Sequence, residues 1–216
     1  MSLPDLAWQV LYGRFAWAIV AAAAAIGLWA WWQTPSRRTV GTILLLCAGS
    51  MALPGAASPA HWLGLAFQWP SALCVALSAL TLGARWRAQH TFTAMPTALA
   101  AACAGAGALL YLDACGWLAI GLYFAGFGPN AAPMAAVLLA AVCAVGIARH
   151  TWRWRAAAVL AALMFYMVFR LPTGNLWDTL LDPFLWGWSV LSLIARWRAS
   201  RRPVPLPALA AGHPAP

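Results

Sequence analysis

The chain has 216 residues, of which 64% are hydrophobic and only 8% charged, whereas an ordinary soluble domain carries about a quarter charged residues. A water-soluble fold could not cover that much apolar surface, so composition excludes a conventional soluble domain and makes a bilayer the expected solvent. The net charge of +9 comes from thirteen arginines against four aspartates; those arginines sit at the ends of apolar runs, where membrane topology requires them, which excludes nucleic acid as a partner.

Residues 1–14 contain Asp5 but no basic leader region, and the first apolar run ends in tryptophans instead of a small-residue cleavage site. They read as the start of a retained helix and not as a signal peptide. The first predicted span covers 15–32 and stops before Arg37 and Arg38; the second covers 40–57, broken towards its end by Pro54 and Gly55. A third covers 62–84 with Pro70 inside it and stops at Arg85-Trp86-Arg87, and a fourth covers 95–112, where Asp113 interrupts the apolar run.

The stretch 114–128 is apolar and rich in glycine and aromatics but short for a crossing, which suits a re-entrant or interfacial segment. The fifth and sixth spans are predicted at 131–148 and 154–169. The last uninterrupted apolar run, 183–195, would reach only about 20 Å at helical rise. The seventh span is therefore started at residue 176, which puts Asp178 and Asp182 in its first turns; a disordered proline- and alanine-rich tail is expected over 203–216.

Seven alternating crossings place eleven of the thirteen arginines on one side: 37, 38, 85, 87, 149, 153, 155, 196, 198, 201 and 202. Arg14, Arg170 and all four aspartates fall on the other. The positive-inside rule makes the arginine-rich side cytoplasmic, so the N-terminus is outside and the C-terminus inside. The expected fold is thus an all-α, single-domain, polytopic transmembrane bundle over 1–202. The absence of lysine and glutamate, together with abundant alanine, points to GC-rich coding and a bacterial inner membrane.

Ionisable groups at membrane depth are costly and are functional candidates by default. The candidate outer-leaflet cluster is Asp113, Arg170, Asn175, Asp178 and Asp182. Asp178 and Asp182 are four apart, hence on one face of a continuous helix. The structural alternative has Asn175 capping that helix, Asp178 in its first turn, and Asp182 paired with Arg170 so that neither charge is buried alone.

Cys47, Cys74, Cys103, Cys115 and Cys143 are scattered singly and read as small hydrophobes, with no metal-ligand spacing. His61, His90 and His150 fall at helix ends and His213 in the tail, so no haem ligand is expected inside a span, and no phosphate loop or hydrolase motif is present. No cofactor and no metal are expected.

Asp113-Ala114-Cys115-Gly116 contains an Ala-Cys-Gly fragment that resembles the cysteine segment of exosortase-type enzymes over three residues, with His61 and Arg170 on the same side of the membrane. Histidine precedes cysteine here, the reverse of that family's order. The resemblance implies a membrane transpeptidase with Cys115 as nucleophile. Few polar groups lie near mid-membrane, so the leading expectation is an accessory or structural subunit of a membrane assembly, with the bilayer and other membrane subunits as partners and no enzymatic activity. The alternatives are a small transporter or channel, suggested by Pro70, Pro96 and the short stretch, and an enzyme acting on a lipid-linked substrate at the outer leaflet.

Overall fold

The computed structural model describes residues 5–89 and 91–201; His90, Arg202, His213 and the expected tail 203–216 lie outside the described residues. Among the described residues the protein is helical, without strands. The helices are α1 (Leu6–Trp29), α2 (Arg37–Ala52), α3 (Pro59–Phe67), α4 (Ala72–Trp86), α5 (Thr97–Ala114), α6 (Leu122–Ala125), α7 (Ala131–Ala148), α8 (Arg153–Phe169), α9 (Leu176–Leu180) and α10 (Pro183–Ser200). Three of them, α1, α5 and α7, are long and apolar enough to cross a membrane.

The starts of the helices are chemically marked. Ser36, Ser58 and Ser71 cap α2, α3 and α4 through their hydroxyls, and Pro59 and Pro183 occupy the first turns of α3 and α10, where a missing N–H costs nothing. Packing runs from α1 against α2 and α4, through α4 against α8, to α7 against α8 and α5 against α10. The largest core cluster joins Leu77 of α4, Cys103 of α5, Cys143 of α7, Leu163 of α8, Leu176 of α9 and Leu185 of α10. Ile26, Val40 and Leu82 make a second core between α1, α2 and α4.

Close helix approach relies on tryptophan lying against glycine. The Trp186 indole of α10 covers Gly107 of α5, where any Cβ would collide with it, and donates its N–H to the Ala104 carbonyl at 3.1 Å. The missing Cβ at Gly107 thus lets α5 and α10 approach closely.

Several expected boundaries change. α1 begins at Leu6, so Arg14 lies inside the helix and not before it. The stretch 62–84 is two helices, because Pro70 has no N–H to continue one and Gln68 adopts φ 61°. The stretch 176–195 is also two helices. α10 starts at Pro183 and runs to Ser200, with Arg196 and Arg198 inside its last turns; eighteen residues give about 27 Å without help from 176–182. The arginines extend past the apolar run because their long stems can carry the charge outward.

Candidate functional site

Four of the five predicted site residues fall into two separate groups, and the fifth, Arg170, ends α8. The first is built around α6 and α9. Asp113, at the end of α5, is buried and accepts three main-chain hydrogen bonds: from Ile120 at 2.8 Å, from Gly121 at 3.0 Å and from Tyr123 at 2.8 Å. It thereby ties the loop 115–121 back onto α5 and supplies an acceptor to the exposed N–H groups at the start of α6, the favourable place for an anion.

Tyr123 extends the network. Its hydroxyl donates to the Asp178 carboxylate at 3.1–3.2 Å, and its carbonyl accepts from the Asn175 side-chain amide at 3.2 Å. Asp178 also accepts from the Thr173 hydroxyl at 2.5 Å, while that hydroxyl accepts the Asn175 N–H at 3.3 Å. Asn175 caps α9 by accepting the Trp177 N–H at 2.8 Å, so the expected cap is present on a helix of only five residues. The Asp178 carboxylate reaches the N-cap through Thr173 and not directly as a capping box would.

Main-chain and indole contacts seal this group. Leu176 donates its N–H to the Gly126 carbonyl at 3.1 Å, and the Trp177 indole donates to the Leu122 carbonyl at 2.9 Å. Gly126 is buried under Asn175 and Trp177 so tightly that a Cβ there would strike both. The 114–128 stretch is consequently a loop with one short helix, held by side chains from 173–178.

The second group surrounds Asp182. Because α9 ends at Leu180, Asp182 does not share a helical face with Asp178; it is the N-cap of α10. Its carboxylate accepts from Leu185 N–H at 2.6 Å and from Ser71 N–H at 2.5 Å. Burial of this carboxyl, 5% exposed, is thus met by main-chain donors where the sequence suggested the Arg170 guanidinium. Arg170 itself forms the C-cap of α8 in a left-handed conformation, φ 52°.

The Ser71 bond joins the two breaks, one between α3 and α4 and the other between α9 and α10. Two carbonyls of the first break are answered from α1: the Tyr12 hydroxyl donates to the Pro70 carbonyl at 2.6 Å, and the Trp17 indole donates to the Gln68 carbonyl at 3.3 Å. Non-helical backbone away from water has to be answered in this way. Tyr12, Ser71, Tyr123 and Thr173 are the participants that sequence reasoning did not assign. Pro172 and Gly174 beside Thr173, and the aromatic content of 114–128 around Tyr123, are the signals in the sequence that point towards any of them.

All four aspartates thus serve helix starts. Asp5 caps α1 by accepting from Ala7 N–H at 2.8 Å, Asp113 holds the start of α6, Asp178 lies in the first turn of α9, and Asp182 caps α10. The thiol–histidine–arginine trio gains no comparable geometry. His61 lines a cavity of about 190 Å³ with Arg14 and Trp69, a cavity that neither Cys115 nor Arg170 lines, and Cys115 is the exposed C-cap of α5. No group of three or more histidine, cysteine or acidic side chains capable of holding a metal occurs among the described residues.

No family model matches the chain, and no curated protein and no solved structure matches it.

Proposed function

We propose that the chain is a multi-pass protein of a bacterial inner membrane, crossing about seven times with its N-terminus outside and its C-terminus in the cytoplasm, and that it serves as an accessory or structural subunit of a membrane assembly. The observation that carries the structural role is the use made of the acids. Each carboxylate accepts hydrogen bonds from the chain's own donors at the start of a helix. Hydrogen bonds that build the fold engage the carboxylates of Asp113, Asp178 and Asp182, which supports a structural role for them over a catalytic or cation-binding one.

Large apolar side chains on the outside support the membrane placement. Trp31, Trp32 and Trp117 are about four-fifths exposed, and Leu45, Met134 and Val137 about two-thirds or more. Surfaces of that kind are stable against lipid or against another membrane protein. Arginine clustering at one end supports the orientation.

The test compares wild type with Asp178→Asn, Asp182→Asn and Arg170→Gln in the native membrane, scoring abundance, melting temperature and co-purifying proteins. The structural reading expects the aspartate variants to be lost or to melt early, and a constant partner to co-purify with wild type under mild detergent. Folded, abundant aspartate variants with a growth defect would instead favour an enzyme acting on a lipid-linked substrate. A wild-type protein that purifies alone would count against a subunit role.

A further inference from the structure

Between α4 and α8 runs an open groove of about 540 Å³. Its walls follow one face of each helix: Ala76, Leu80 and Gly83 on α4, and Ala157 and Ala161 on α8, spacings of three and four that align residues along a helix. Small side chains leave the trough open, and a Cβ added to Gly83 would meet nothing within 4 Å. From Ala76 to Arg87 the groove covers eleven helical steps, about 16 Å, which matches the roughly 15 Å that one leaflet contributes to a ~30 Å hydrocarbon core.

The two ends differ in chemistry. Arg87 and Arg153 line one end, together with Gln89, Phe92 and Trp154, and no acid contributes to the lining. Neighbouring arginines have structural employment: Arg155 donates to the Thr93 carbonyl at 2.5–3.2 Å, and Arg196 donates to the Met95 carbonyl and the Thr97 hydroxyl. These bonds fix the loop that shapes the mouth. The Arg153 guanidinium, by contrast, sits over the Trp154 ring at 5.2 Å. α8 begins beside it with no side-chain cap on its first N–H groups, which adds positive potential at the mouth.

We infer that this groove binds one anionic glycerophospholipid, its phosphate between Arg87 and Arg153 and one acyl chain along the alanine- and glycine-lined trough. Charge complementarity and the one-leaflet length together select this occupant. The paired arginines at one end call for an anionic group there, which an apolar helix face does not supply, and a free anion would leave the apolar length unused. The inference rests on the membrane placement proposed above but not on the subunit role.

The experiment is lipid titration of the full chain, purified in mild detergent, read by native mass spectrometry with phosphatidylglycerol, phosphatidylcholine and inorganic phosphate as probes. Two surface arginines should favour phosphatidylglycerol over phosphatidylcholine by about tenfold or more. Arg87→Gln with Arg153→Gln should abolish that preference while the apolar trough still retains either lipid. Gly83→Leu should release both lipids without lowering the melting temperature, because the leucine has open space and better helix propensity. The inference is overturned if the preference survives the double substitution, if Gly83→Leu binds as wild type does, or if inorganic phosphate displaces the lipid. A chain recovered from cells without detergent would sink the membrane reading itself; a detergent-dependent chain without lipid preference would sink only the groove.

Discussion

At Gly126 the hydrogen is the functional part of the side chain. The carbonyl of this residue accepts from Leu176, and Asn175 and Trp177 lie directly over its Cα, so the α6 loop and the α9 segment meet with no room for a methyl group. Gly126→Ala is therefore expected to destabilise the protein by about 1–3 kcal/mol through overpacking, in spite of alanine's better helix propensity. A thermal melt in detergent reads this directly, with Gly105→Ala, whose Cβ would meet nothing within 4 Å, as the control expected to melt no lower than wild type. Equal melting of the two variants would show that the Asn175–Trp177 lid is not a tight contact.

Among the elements, the bond that matters most crosses 111 residues of sequence, from Ser71 N–H to the Asp182 carboxylate. It holds the α3–α4 break against the α9–α10 break, and Asp182 needs both of its oxygens for this: one for the α10 cap, one for Ser71. Asparagine caps as well as aspartate, so Asp5→Asn at the exposed start of α1 should leave the melting temperature unchanged. Asp182→Asn turns an amide NH2 towards the Ser71 N–H and leaves a buried donor unmet, at a cost of about 1–3 kcal/mol. Matching melts for the two variants would remove the special role of the second oxygen.

The same comparison shows what the sequence can and cannot express. Apolar run length marks where helices lie because burial in lipid requires it, and α7 over Ala131–Ala148 coincides with its run. The break at Pro70 is visible as a proline, but its partner is not, since nothing near Asp182 indicates Ser71. The start of the last helix differs for a related reason: Arg196 and Arg198 end the apolar run, whereas long arginine stems let the helix continue past it. Asp113 shows in the sequence as an interruption of an apolar run and as a member of the candidate cluster, but its three N–H partners come from a loop whose path has no periodic signature.

On the scale of the whole molecule, the proposed topology makes a prediction about a single thiol. Cys74, Cys103 and Cys143 are buried and Cys47 is partly buried, whereas Cys115 is exposed at the end of α5, beside the loop that carries Trp117. Its end of the bundle holds Asp113 and lacks the arginine clusters of the opposite end, so the positive-inside argument puts it outside the cytoplasm. A membrane-impermeant maleimide applied to spheroplasts should modify wild type at one site and leave Cys115→Ser unlabelled. Labelling that appears only after the membrane is opened would invert the orientation, and with it the leaflet in which the α4–α8 groove meets its lipid.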